Sequence, residues 1–142
     1  MTDRLSVTFA IKAEISDPQA KTFVFTGYKT MYGGKQVAAG DRIFLFASEN
    51  EGGHGLFACG VVTSAEAVPR KPDLDRQTPR VSITIHVSAL ARQKLGRKEL
   101  KPFSDWDDGQ PQTELNFKFY RQARDKVIAV SEKAVQFLDG FF

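Results

Sequence analysis

The sequence predicts an α+β fold: a small mixed or antiparallel β-barrel of five to six strands, with short peripheral helices and a helix at the C-terminus. Three observations point there. Several segments alternate apolar and polar residues with the two-residue period of a half-buried strand, the cleanest being Val81, Ile83, Ile85 and Val87 against Ser82, Thr84 and His86. The apolar filler is aromatic, with twelve Phe against two Met and one Trp, and bulky rings suit strands and barrel interiors better than slender helical seams. Near the end the period changes: Ala134, Leu138 and Phe141 fall at helical spacing, flanked by Val135, Phe137 and Phe142, behind a Ser131-Glu132-Lys133 start that reads as a capped helix.

The elements follow in order. Ser6 to Lys12 (SVTFAIK) sets Val7, Phe9 and Ile11 on one side and reads as the first strand. Ser16, Asp17 and Pro18 break it, and Thr22 to Thr26 (TFVFT) extends or pairs before Gly27. Thr26 to Gly40, rich in Gly and Tyr, reads as a loop with one helical turn, and its length marks it for a role. A Gly40-Asp41 turn opens Arg42 to Ala47 (RIFLFA), a nearly continuous apolar run expected of a central strand. Ser48 to Gly55 is a polar hairpin tip, and Leu56 to Ala67 returns as a long strand in which Gly60 suggests a bulge or a close backbone approach. Pro69 to Pro79 is a surface connection. After the Val81 to Val87 strand, Ser88 is placed to cap a short helix running to Lys98, and an irregular stretch from Leu100 to Gln112 carries Phe103, Trp106 and three aspartates. Leu115, Phe117 and Phe119 alternate as a further strand, and Val127 to Val130 closes the sheet. No repeat, low-complexity tract or linker divides the chain, so residues 1–142 read as one domain.

Charge and composition narrow the function classes. Lys plus Arg exceed Asp plus Glu by 20 to 17, a small positive bias compatible with a nucleic acid or phosphate partner. No stretch reaches the eighteen or so apolar residues of a bilayer span, so no membrane partner is expected. The N-terminus carries Asp3 and lacks the pattern of a secretory signal, and Cys59, the single cysteine, permits no internal disulfide. The expected location is cytoplasmic.

The chemistry-bearing motifs are few. There is neither a P-loop nor a GxGxxG fingerprint; the Gly52-Gly53-His54-Gly55 run leads into a strand, with no helix to aim amides at a phosphate. His54 falls in the polar loop and His86 on the face of its strand opposite Ile85, so both read first as surface groups. Cys59, between Ala58 and Gly60, reads as a packing residue. Asp105, Asp107 and Asp108, followed by Gly109, read as a solvated turn before they read as hydrolytic carboxylates or a metal site. No cofactor is expected. Trp106 is the most informative residue: beside Phe103 it is either a stacking plate for a single-stranded or extruded base or a plug for one barrel end.

The run GDRIFLFASENEGGHGLFACGVVTSAEAVP, residues 40–69, resembles the central hairpin of EVE domains in the PUA-like superfamily, and FKFYRQARDKVIAVSEKAVQFLDGFF is similar to their final strand and terminal helix. The resemblance implies a PUA-like pseudobarrel that binds nucleic acid, DNA or RNA, and reads a modified base, chiefly in DNA. It implies a pocket lined by Ser48, Glu49 and Asn50 at the end of the first hairpin strand and by Tyr32 from the preceding loop. The first strand, LSVTFAIK, lacks the tryptophan many EVE domains show there; either Trp106 replaces it or the pocket is altered.

The leading expectation is therefore a binding module and not an enzyme, with the ligand pocket at Tyr32, Ser48, Glu49, Asn50 and Trp106. Backbone contacts are expected from the dense Arg92, Lys94, Arg97, Lys98 cluster and Arg121, with Arg42, Arg80, Lys118 and Arg124 as further cations. Two other classes stand beside it: a small metal-dependent hydrolase or nuclease using Asp105, Asp107 or Glu49, and a protein-interaction domain presenting Phe141 and Phe142 to a partner.

Overall fold

The computed structural model describes residues 7–49, 52–69, 71–73, 77–121 and 125–142. Six strands close into a barrel: β1 (Thr8–Ala13), β2 (Thr22–Met31), β3 (Arg42–Ala47), β4 (Gly55–Ala67), β5 (Arg80–Leu90) and β6 (Lys126–Val130), in the order β1-β3-β4-β5-β2-β6. The β1–β3 and β2–β6 pairs are parallel and the others antiparallel, so the barrel is mixed. Among the described residues three short α-helices accompany it, α1 (Arg97–Leu100), α2 (Pro111–Leu115), which runs on as one π turn (Asn116–Tyr120), and α3 (Glu132–Asp139), with a single 3-10 turn at Gly34–Gln36. Among the described residues no helix is long and apolar enough to cross a membrane.

The apolar side chains form two layers. One fills the barrel, with Phe9, Ile11, Phe25, Ile43, Leu45 and Ile85 among the residues contributed by all six strands. The other lies between the outer face of β1, β3, β4 and β6 and the helices, and holds Ala10, Phe44, Phe46, Leu115, Phe119, Ile128 and Leu138. This explains two sequence patterns at once. RIFLFA is continuously apolar because β3 is covered on both faces, whereas β5 alternates because only its inner face is covered. Gly60 sits where the β4–β5 register shifts, and a Cβ there would strike the His86 carbonyl. The Ser131 hydroxyl accepts from the Ala134 N–H and starts α3 as expected, and β6 closes the sheet between β1 and β2.

Three expectations are corrected. Leu115 to Tyr120 is helical and not a strand: Leu115 and Phe119, four residues apart, share the buried face of one helix, while Phe117 between them is only half-buried. Thr26 to Gly40 is not all loop, since β2 continues to Met31 through a bulge between Phe25 and Tyr28 at which Gly27 adopts φ 67°. No helix begins at Ser88; β5 extends to Leu90, which pairs with Ala58, and only Arg97–Leu100 is helical. Phe141 and Phe142 are half-buried on the second layer, Phe142 against Phe44, which counts against their serving as an exposed partner surface.

Candidate nucleic-acid interface

An aromatic cavity opens where β2 leaves the barrel. Past Met31 the chain turns through Tyr32, at φ 51°, and Gly33, at φ 84°. A left-handed tyrosine is uncommon and is held here by its surroundings: its carbonyl accepts from the Ala129 N–H at 3.2 Å, and Gly34 packs so closely on the Val127 carbonyl that no Cβ would fit. From the loop before α2, Trp106 reaches the same place, set edge-on to Phe117 with centroids 4.8 Å apart, and is 67% exposed. Tyr32 and Trp106 line a cavity of about 200 Å³ together with Gly109, Gln110, Thr113, Glu114 and Lys118.

The polar groups of this cavity are organised. Lys118 Nζ donates to Glu114 Oε2 at 3.0 Å and to the Ala129 carbonyl at 2.9 Å, and lies 5.4 Å from the Tyr32 ring centroid. Burial works to raise the Glu114 pKa, but hydrogen bonds from the Ser131 hydroxyl and N–H and from Lys118 outweigh it, and the carboxyl is held below its usual range. Arg121 stacks on the other aromatic of the Trp106 pair, 4.8 Å from the Phe117 centroid. A cation, an anion and two rings thus face one small space.

A second polar cluster lies at the end of the outer layer. Lys12 is 1% exposed; its Nζ donates to the Phe119 carbonyl at 3.0 Å and sits 5.3 Å from the Tyr120 ring centroid. Lys126, also 1% exposed, stands directly opposite it in the β1–β6 ladder. Burial, then the Lys12 charge, lowers the Lys126 pKa to about 8 against the opposing pull of Asp125. Burial likewise raises Asp125, opposed by Lys12, the Ser48 hydroxyl and the Glu14 backbone. Burial, then the Glu49 carboxylate by its charge and by a hydrogen bond, pushes the Tyr120 phenol up.

The expected site residues therefore separate. Tyr32 and Trp106 come together on one cavity, whereas Ser48 and Glu49 do not line it; Ser48 is buried beside Asp125, and Glu49 Oε1 accepts from the Arg97 N–H at 2.8 Å, tying down the start of α1. Asn50 and Arg124 lie outside the described residues. Arg97 lies over the Tyr120 ring, Lys98 is exposed, and Arg92 and Lys94 border a separate groove of about 310 Å³ with His54 and Leu56. Of the expected backbone cations, Lys118 lines the aromatic cavity and Arg121 approaches it through Phe117. Arg42 is engaged by Asp139. The aspartates of the hydrolase reading shape local structure: Asp105 Oδ1 accepts from the Asp107 N–H, and Asp108 accepts from the Gln110 N–H and the Thr113 hydroxyl. Among the described residues no group of three His, Cys, Asp or Glu is placed to hold a metal.

Sequence reasoning missed Lys12 and Lys126. Each alternates with apolar neighbours, and in a barrel with a wet outer face such a lysine would be solvated; the helical layer that covers them is what makes them unusual. No local signal marked them, because the cover on Lys12 comes from Phe119 and Tyr120, with Phe119 107 residues away along the chain.

No family model and no curated protein matches the chain. Among solved structures it is similar to the DUF55 domain of human thymocyte nuclear protein 1, with a TM-score of 0.60 and 14% identity over 91% of this chain and 94% of that one. It is similar to human THYN1 solved in complex with 5-methylcytosine-containing DNA, with a TM-score of 0.62 and 15% identity over 93% and 95% of the two chains. A hypothetical protein from Leishmania major gives a TM-score of 0.62 and 16% identity over 94% and 92%. The likeness runs through nearly the whole of each chain and bears out, at the level of fold, the resemblance carried by the hairpin: this molecule shares its barrel fold with the DUF55 domain of human thymocyte nuclear protein 1.

Proposed function

We propose that the protein is a nucleic-acid-binding module that holds an extruded base, in a modified form, in the cavity between Tyr32 and Trp106. One observation carries the reading: two aromatic residues far apart in sequence line a single small cavity that also holds a cation and a hydrogen-bonded carboxylate. At about 200 Å³ it lies below the roughly 300–1,000 Å³ of pockets for drug-sized ligands, the scale of one planar ring system. The exposed indole offers a face on which any base can stack, and Gln110, Glu114 and Lys118 offer donors and acceptors to its edge. A shared fold with human THYN1, which was solved with 5-methylcytosine-containing DNA, supports the ligand class. A single-stranded or weakly paired nucleotide is the easiest to extrude, which makes it the preferred form of substrate.

Trp106 is the only tryptophan, so intrinsic fluorescence reports on the cavity directly. Titration with oligonucleotides carrying cytosine or 5-methylcytosine is expected to quench it, with the modified strand binding more tightly. Trp106→Ala is expected to weaken binding by about 1–3 kcal/mol, the range of a base–aromatic stack. Unchanged affinity in Trp106→Ala and Tyr32→Ala would remove the cavity from the interface, and absence of binding at low salt would end the nucleic-acid reading altogether.

A further inference from the structure

Four cations stand in one row across the outside of the barrel. Cross-strand register sets Arg80 of β5 opposite Lys29 of β2, Lys29 beside Lys126 of β6, and Lys126 opposite Lys12 of β1. Residues so opposed project from one face, and here it is the outer one, because their chain neighbours Val81, Tyr28, Val127 and Ile11 all pack inside the barrel. Like charges directly opposed in a ladder destabilise it. Asp125 lies against the middle of the row and Glu49 acts on its Lys12 end, but at the Arg80 end the balance is one-sided. There Lys29 and Arg80 open onto a groove of about 600 Å³ also lined by Lys35 and Lys71, with no carboxylate among its described lining residues. A shallower groove of about 330 Å³ continues from Lys29 and Arg80 past Gly27 to Asp125.

We infer that this groove is a binding site for the phosphodiester backbone of a nucleic acid strand, with Lys29, Lys35, Lys71 and Arg80 contacting phosphate oxygens. The inference rests on the nucleic-acid reading and moves the backbone contacts away from the Arg92 to Lys98 segment. Three features favour this occupant. Lys29, Lys35, Lys71 and Arg80, from β2, the turn after it, the β4–β5 connection and β5, all line one groove, a concentration of cations that suits successive phosphates of one strand. Only the Arg80 and Lys29 end of the row is open, and there it borders a concave groove that a narrow chain can enter and a flat bilayer surface cannot. A concave site with low-dielectric walls also concentrates its field on an approaching polyanion. Arg80 is oriented in advance by donating from Nη1 to the Gly27 carbonyl at 2.7 Å. Lys35 follows Tyr32 by three residues, at most about 11 Å of chain, so backbone on the groove leaves a nucleotide within reach of the aromatic cavity.

The test is a salt series, with labelled single- and double-stranded oligonucleotides followed by fluorescence anisotropy. Lys35→Ala and Lys71→Ala remove exposed side chains, so folding is not at stake, and a circular-dichroism melt checks this. Each is expected to reduce the slope of log K against log salt by about 0.7 on single strands or 0.9 on duplex, and Lys29→Ala to do the same. Arg92→Ala and Lys94→Ala are expected to leave the slope unchanged. If wild type binds and the three groove variants keep its slope, the groove is overturned while the nucleic-acid reading stands. If wild type binds no oligonucleotide, both fall. Groove-dependent binding to anionic phospholipid vesicles with none to oligonucleotides would likewise overturn the inference.

Discussion

Replacing Lys126 with methionine removes one of two buried ammonium groups while keeping an unbranched side chain of similar reach. Its pKa falls from 10.5 in the unfolded chain to about 8 in the folded one, chiefly through burial and next through Lys12. At roughly 1.4 kcal/mol per unit, the charged form costs the folded state about 3 kcal/mol. The sign follows from proton counts. Below pH 8 both states hold the proton and the full cost is present; between pH 8 and 10.5 the unfolded chain binds more protons than the folded one, so wild-type stability from this group rises with pH; above 10.5 the cost is gone. Asp125 loses part of its compensation in the variant, although Lys12 remains beside it, so the net gain is expected at about 1–3 kcal/mol near pH 7. Urea denaturation of both proteins from pH 7 to 10.5 measures it, and the difference between the two curves isolates this lysine from other groups that titrate there. The Lys126→Met advantage should shrink across that interval. An advantage independent of pH, or a variant less stable than wild type at pH 7, would refute the electrostatic account of the buried pair.

The same packing yields two more tests. Tyr120→Phe removes a buried hydroxyl that faces the Glu49 carboxylate, so thermal denaturation is expected to show a loss of about 1–3 kcal/mol, the worth of a hydrogen bond to a charged group; stability equal to wild type would show that the bond contributes nothing. Phe119→Ala empties the contact between the π turn and β3, where the Phe119 and Phe46 centroids are 4.9 Å apart and both rings are fully buried, and is expected to cost about 3–5 kcal/mol by chemical denaturation.

Most of the barrel was legible in the sequence because a strand covered on one face alternates and a strand covered on both is continuously apolar; β5 and β3 are the two cases side by side. Gly60 and Ser131 were legible because a bulge and a helix cap each have a local chemical requirement. Leu115 to Tyr120 was not, since Leu-x-Phe-x-Phe satisfies a period of two and also places its first and last apolar residues at the four-residue spacing of a helix, and only the tertiary layer decides between them. The site divides in the same way. Trp106 was visible as an aromatic of an irregular segment and Tyr32 through the family resemblance, but their meeting depends on Lys118 and Glu114 being tied to Ala129 and Ser131 at the end of β6. Ser48 and Glu49, expected beside them, sit at a different end of the outer layer because β3 runs parallel to β1 and delivers its C-terminal residues near Lys12.

Strand β2 brings the two proposed contacts under one mechanical constraint. It pairs antiparallel with β5 through Lys29 and then parallel with β6 from Lys29 to Met31, so at Lys29 it is hydrogen-bonded on both sides and cannot shift without opening the barrel. Beyond Met31 the turn is pinned by the Ala129 N–H on the Tyr32 carbonyl and by Gly34 against Val127, both on β6. The spacing between the groove cation and the aromatic wall is thus set before any ligand arrives, and binding need not supply the entropy of ordering that segment. Strain supports the same reading: a left-handed tyrosine costs about 1–3 kcal/mol and persists only where its surroundings over-determine it. A glycine at position 32 would relieve that cost and keep the turn, so Tyr32→Gly separates the two roles of the residue. It is expected to leave stability unchanged or improved while weakening the oligonucleotide quench of Trp106, whereas a purely structural Tyr32 would lose stability and leave binding by the folded fraction intact.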